Sequence, residues 1–370
     1  MYYIFKRKLV LCYLLLVALL IVAGCSSSNS GTESETPGQS QNEDKSVSSD
    51  SEKSEMETSI VLGTNPTGSA YNSVGTGVAT VISDHAPFQV SVSTYAGPNI
   101  WLPLMNNNEV HLGVAASPDI FWAYNGEEPY QSNKNIRTIV RGNWTDAAGF
   151  VVREDSEIQS VNDLKGKRLA SDDGAHQIIM NILTTQLEGA GLTCDDVTPV
   201  PVTSYPQGLE ALRDNQVDAA FGGSPTTSAG MEIDAAVGIR PLNYGDVAPE
   251  ELDNFPEELM QKLQERVPGS RVVSKQAGWA QEEFTLIEYP LFLAASSSLS
   301  EEAAYEVTKI LWENYQELHP IFPWLEQWTA ENMFDPRPPA PYHDGAVKYF
   351  KEIGVWTDEA EQYHQELLGS

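Results

Sequence analysis

Short runs of hydroxyl, glycine and aromatic residues, each placed just after an apolar β-type segment, are the parts of this 370-residue chain able to do chemistry. Thr64, Thr67, Gly68, Ser69 and Tyr71 follow the run Ser59-Ile60-Val61-Leu62-Gly63, and Tyr95, Gly97 and Trp101 follow residues 88–94. Ser117 follows Leu112-Gly113-Val114-Ala115-Ala116, and Arg141 stands just past Thr138-Ile139-Val140. Further on, Asp172-Asp173-Gly174-Ala175-His176-Gln177 opens a helical segment, and Ser224, Pro225 and Thr226 follow Asp218-Ala219-Ala220-Phe221. The chemistry on offer is recognition: hydroxyl hydrogen bonds, close backbone approach at glycine, and aromatic faces for a ring or a cation. Arg141 adds a guanidinium that can grip a carboxylate bidentately. Each has a plainer use as well. Ser69 can cap a helix, Tyr71, Tyr95 and Trp101 can pack, Ser117 can turn the chain before Pro118, and His176 and Arg141 can face solvent.

Catalysis needs a constellation, and none assembles. The six histidines are scattered without ligand spacing, no P-loop or Gly-x-Ser-x-Gly elbow occurs, and Cys194 has no evident partner. No metal site, cofactor or catalytic residue is therefore expected. The formal net charge of -30 repels nucleic acid, and the many carboxylates read as a solvated surface.

The elements that must position these loops alternate short β-branched runs with helical-period segments, which argues for α/β layers with largely parallel strands. Tyr71, Val74, Val78, Val81 and Ile82 share one helical stripe, as do Ile179, Ile182, Leu183, Leu187 and Ala190. Ser300-Glu301-Glu302 starts another helix by N-cap logic. Residues 138–140 and 150–152 are expected to complete a first lobe. Residues 160–168 open a second, and the apolar run 285–295 returns the chain to the first. In an open α/β sheet ligands sit beyond the carboxyl ends of the strands, where loops and helix N-termini converge. All the loops above have that position.

The N-terminus bounds location. Lys6, Arg7 and Lys8 precede the unbroken apolar run 9–23, the layout of a signal peptide. Fifteen residues are short for a membrane-spanning helix. The run ends in Val22-Ala23-Gly24-Cys25, a lipobox pattern in which Cys25 is diacylated and anchors the chain to a membrane. Residues 1–24 are thus the expected leader, and the Ser- and acid-rich residues 25–57 a disordered tether. Residues 58–156 and 285–370 are expected in lobe one, and 157–284 in lobe two. With Cys12 and Cys25 used up at the N-terminus, Cys194 stands alone and no intrachain disulfide is expected.

From residue 59 to 352 the chain resembles, in one register, the TAXI-type solute receptors of TRAP transporters. The stretch Leu62-Gly63-Thr64-Asn65-Pro66-Thr67-Gly68-Ser69-Ala70-Tyr71 is similar to that family's opening loop. Ala123-Tyr124-Asn125-Gly126, Asp163-Leu164-Lys165-Gly166-Lys167-Arg168, Gln216-Val217-Asp218-Ala219-Ala220-Phe221, Leu311-Trp312-Glu313-Asn314 and the segment 345–352 follow at the family's spacing. The resemblance implies a bilobal periplasmic-binding-protein fold of type II-like, Venus-flytrap form, two doubly wound lobes joined by two hinge crossovers. It also implies a small-molecule ligand, an organic acid or amino-acid-like compound with an aromatic one as a further option, and a TRAP membrane subunit as partner. Tyr95-Ala96-Gly97-Pro98 with Trp101, and Ala116-Ser117-Pro118, replace the family's Thr-Gly-Gly-Ser with Asn and its Gln-Ser-Asp. Several members bind glutamate-like or dicarboxylate ligands, and these replacements count against that ligand class here. A ligand-sensing adaptor for a membrane signalling partner, and an enzyme on the same fold, are the competing expectations.

Overall fold

The computed structural model describes residues 59–172 and 176–369. The expected leader, the lipidation site Cys25, the tether and Asp173-Gly174-Ala175 lie outside the described residues. The first sheet begins with β1 (Ser59–Thr64), which pairs in parallel with β2 (Gln89–Thr94) on one side and β3 (Leu112–Ala116) on the other. Helix α1 (Ala70–His85) connects the first two. Ser69 caps it by accepting from the Asn72 amide, and its Val74, Val78 and Ile82 are buried without exposed surface, as the stripe requires. It stops at Ala86 because Pro87 cannot continue it. All five residues of β3 are buried, the signature of a strand covered on both faces.

Two long strands then run antiparallel through the molecule: β4 (Ile136–Ala147) and β11 (Phe284–Ser296). The outer half of β11, residues 291–295, pairs with β3, while residues 284–288 pair with β10 (Arg271–Lys275). Between the halves the register slips beside Pro290, opposite Gly142-Asn143-Trp144. A proline without an amide donor suits such a break. The first sheet is thus ordered β2-β1-β3-β11-β4, with β10 alongside β11.

The second sheet repeats that plan. The strand β5 (Phe150–Arg153) lies between β8 (Ala220–Phe221) and β9 (Ile239–Pro241), antiparallel to both. The pair β6 (Arg168–Asp172) and β7 (Thr198–Val202) is parallel, and Ala170 donates to the Ala219 carbonyl at 3.0 Å to join it to β8. The order β7-β6-β8-β5-β9 therefore mirrors β2-β1-β3-β11-β4. Two lobes with this order, linked by strands, make the bilobal periplasmic-binding-protein fold of the α/β class. One expectation is corrected: Phe150-Val151-Val152 belongs to the second sheet, because the chain crosses at Ala148-Gly149 directly after β4. Gly149 permits the crossing with a φ of 72°. A Cβ there would lie 2.3 Å from Gln186 Oε1, so glycine is required twice over.

Around the sheets stand α2 (Pro98–Trp101), α3 (Ser117–Asn125), α4 (Gln177–Gly189), α5 (Tyr205–Arg213), α6 (Ser228–Val237), α7 (Glu257–Arg266), α8 (Glu301–Asn314), α9 (Asp344–Glu352) and α10 (Asp358–Gly369). None of the described helices is long and apolar enough to cross a membrane.

Candidate functional site

The helices α1, α4 and α6 begin at the strand ends, and their first turns border one small space between the lobes. From the first lobe come Asn65, Ser69 and Tyr71 of the β1–α1 loop, Ala96 beyond β2, and Trp324 of a short 3-10 turn, Pro323–Gln327. From the second come His176, Ile179, Tyr205, Phe221, Gly223, Ser224 and Thr227. The crossover strands supply the floor with Thr145, Asp146 and Tyr289. The space measures about 30 Å³, room for about two waters. Anything larger requires the lobes to part.

Contacts across the mouth hold them together. Ala229 N–H and Ser228 Oγ at the start of α6 both donate to the Gly68 carbonyl, at 3.3 and 3.4 Å. The Tyr71 ring meets His176 edge-on at 5.7 Å between centroids. His176 Nε2 also lies 3.7 Å from Asp119 Oδ2, in the first turn of α3. Asp119 is wholly buried and takes a 2.8 Å hydrogen bond from Tyr130 on its other oxygen.

Polar atoms facing the space have unused capacity. Asn65 Oδ1, His176 Nε2 and Trp324 Nε1 are buried and have no hydrogen-bond partner among the described residues, His176 Nε2 standing 3.7 Å from Asp119, and Thr145 Oγ1 lacks a well-formed one. Leaving such a group unpaired costs about 1–3 kcal/mol, so residues from two lobes that carry such atoms beside one space make it the candidate site. The tyrosines stay neutral. Burial pushes the Tyr205 hydroxyl up to about 12 and raises Tyr71 and Tyr289; the hydrogen bond that Tyr71 donates to Tyr289 at 3.4 Å raises Tyr71 further and pulls Tyr289 back a little.

The floor is electrostatically paired. Asp146 and Glu288 face each other across β4 and β11. Lys275 reaches Asp146 at 2.7 Å and also contacts Glu288, while Arg271 holds Glu288 at 2.6 Å and stacks on Trp144 at 3.9 Å. Burial pushes the Asp146 carboxyl up to about 6 against the pull of Lys275. Burial works the same way on Glu288, but hydrogen bonds from Lys275 and Arg271 outweigh it and hold that carboxyl below its ordinary range.

Of the residues singled out in the sequence, Ser69, Tyr71, His176 and Ser224 line the space. Thr226 braces Ser224 at 3.1 Å between hydroxyls, and the Pro225 carbonyl accepts from the Trp279 amide. Thr64 is buried beneath the loop, accepting from Asn72 Nδ2. Thr67 and Gly68 border a separate cleft at the mouth, of about 220 Å³, with Ser228 and Ala229 opposite. Gln177 turns to Asn181 on its own helix. Tyr95 packs half-buried on the first core, Gly97 precedes α2, and Ser117 begins α3. For Trp101 the stacking option fails, because its indole is wholly buried against Gly63 and Gly113. Arg141 is diverted too: its guanidinium lies 3.8 Å from Asp335 and over Trp144, outside the space.

Sequence reasoning missed Asn65, Thr145, Asp146, Tyr205, Thr227, Tyr289 and Trp324. Asn65 sits inside the quoted opening loop and was within reach. Tyr289 and Trp324 carry no local signal, since only the pairing of distant strands and a 3-10 turn brings them in.

Fold and site together define a two-lobed α/β protein with a cleft between its lobes. The chain belongs to the NMT1-like family, whose model matches residues 62–354. Among solved structures it is similar to the periplasmic aliphatic sulphonate binding protein SsuA from Escherichia coli, at 15% identity and a TM-score of 0.38 over 84% of this chain and 88% of that one. PhnD1 from Prochlorococcus marinus in complex with methylphosphonate matches at 12% identity and a TM-score of 0.46, over 80% of this chain and 99% of that one. The alkanesulfonate-binding protein SsuA from Xanthomonas axonopodis pv. citri bound to MOPS matches at 16% and 0.43, over 82% and 96%. These scores are low, and the fold stands on the strand order described above.

Proposed function

We propose that this protein is an extracytoplasmic solute receptor, held on the membrane through Cys25, that captures a small molecule between its lobes and presents it to a transporter. The observation that carries the reading is the convergence of unpaired buried polar atoms from both lobes, Asn65 and Trp324 on one side and His176 on the other. A ligand bridging them binds only the closed arrangement, and so shifts the open-closed equilibrium toward it. Closure is then what a membrane partner reads.

For that partner, the resemblance over residues 59–352 supports a TRAP-type permease with TAXI-type receptor, and the similar solved structures include receptors described as parts of ABC transporters. The adaptor reading uses the same cleft with a signalling protein in place of the permease. Native mass spectrometry of protein purified without denaturation tests the receptor reading: one small molecule bound per chain is expected, lost on unfolding. Co-purification with the membrane partner separates the three cases, and hydrolysis or conversion of the bound molecule would instead support an enzyme. A chain that binds nothing and shows no change in radius of gyration with any extract of its growth medium sinks the proposal.

A further inference from the structure

We propose that the solute held in this cleft carries a positively charged nitrogen, a protonated amine or a quaternary ammonium; this rests on the receptor reading above. The walls are the first reason. Tyr71, Tyr205, Tyr289 and Trp324 place aromatic rings around a space whose lining, among the described residues, includes no Lys or Arg side chain. Aromatic faces carry negative potential and form the usual enclosure for organic cations. The second reason is the acceptors. Asp146 lines the space, with Lys275 at 2.7 Å on Oδ1, and among the described residues Asn65 Oδ1 has no donor and Asp119 Oδ2, buried 3.7 Å behind His176 Nε2, has no hydrogen-bond partner.

The cations nearby are all engaged, so none is left over for an anion. Lys275 and Arg271 are engaged with Asp146 and Glu288 below the floor, and Arg141 with Asp335 outside. Among the described lining residues an anion would find neutral donors such as Trp324 Nε1 and the hydroxyls, and otherwise the partial charges of helix N-termini. Each of those amounts to about half a charge at most. The starts of α1 and α6 are moreover already capped, by Ser69 and Thr227. A dianion would have to sit, desolvated, beside Asp146, with Lys275 already shared between Asp146 and Glu288 and no Lys or Arg among the described lining residues.

The test uses calorimetric titration of the full chain, freed of any bound molecule by mild denaturation and refolding, with choline, ethanolamine, acetate, succinate and inorganic phosphate. A further probe is 3,3-dimethylbutanol, the uncharged isostere of choline. Choline is expected to bind at least about tenfold tighter than the isostere, a comparison that needs no variant. Asp146→Asn and Trp324→Leu should each weaken choline about tenfold while far-UV circular dichroism stays that of the parent. Tighter binding of acetate, succinate or phosphate than of either ammonium probe overturns the inference and leaves the receptor reading standing, as does equal binding of choline and its isostere. If no probe of either charge binds and native mass spectrometry finds no molecule in the undenatured protein, the receptor reading falls and this inference with it.

Discussion

His176 is the residue at which the two lobes meet chemically, since its ring lies edge-on to Tyr71 and its Nε2 is turned toward Asp119, both of the first lobe. An imidazole in that position does more for closure than for folding. His176→Ala is accordingly expected to weaken ligand binding about tenfold, equivalent to one hydrogen bond of about 1.4 kcal/mol, with a midpoint of thermal unfolding within a few degrees of the parent. Titration and differential scanning calorimetry on the same preparation check both halves. Asp146 makes a pH-dependent contribution instead. Its folded pKa of about 6 lies above the ordinary 3.8, so the native state holds that proton more firmly than the unfolded chain does. Stability from this group is therefore fully present below about pH 3.8 and lost as pH rises through about 6. Relative to Asp146→Asn, the parent should lose about 1–3 kcal/mol across that window, read from urea unfolding at several pH values. Glu288 runs the other way: with a depressed pKa, its contribution is present above its ordinary 4.5 and fades as pH falls below. A difference curve that is flat between pH 4 and 6 would contradict the burial of Asp146.

At the scale of elements, the crossover after β4 depends on Gly149. Gln186 fixes the space there, because its Oε1 accepts from Phe150 N–H at 3.0 Å and its Nε2 donates to the Leu242 carbonyl at 3.3 Å. It cannot retreat without breaking both. Gly149→Ala combines a left-handed backbone with that collision, and an expected loss of about 2–4 kcal/mol should show as a lower denaturant midpoint at unchanged slope. The elements differ in how far the sequence disclosed them. Helix α1 was legible because a capping serine and a 3.6-residue stripe agree with one another, and β3 because it is uniformly apolar. The helix α3 was not, since Ser117-Pro118 reads equally as a turn and as a helix start. The full length of β4 was hidden as well, because residues 141–147 mix polar and apolar side chains where the strand passes between lobes and alternates its surroundings. Trp101 and Arg141 show the corresponding limit for the site. A residue type suited to a ligand is equally suited to a core or an ion pair, and only long-range packing chooses. Ser69, Tyr71, His176 and Ser224 could be singled out because strand-end position, which the sequence does encode, is what puts them at the cleft.

For the whole molecule, function requires that the lobes part and rejoin, and the mouth contact offers a way to arrest that motion. A Cβ built at Gly68 would lie 3.5 Å from the Cβ of Ala229 across the cleft, within the range that a disulfide bridges. The double variant Gly68→Cys with Ala229→Cys should therefore close into a disulfide on oxidation. The φ of 88° at Gly68 strains a cysteine there by about 1 kcal/mol, less than an interlobe disulfide contributes by constraining the open and unfolded ensembles. Oxidised protein is expected to exchange ligand at least about a hundredfold more slowly than reduced protein, because a space of about 30 Å³ cannot pass a solute unless the lobes part. Reduction should restore exchange in the same sample, which separates locking from misfolding. Loading order gives the sharper contrast. Protein oxidised with ligand present should retain it through dialysis, and protein oxidised without ligand should refuse it. Rapid exchange in both oxidation states would mean that solute reaches Asn65 and His176 by some route other than the parting of the lobes, and closure would then have no part in its capture.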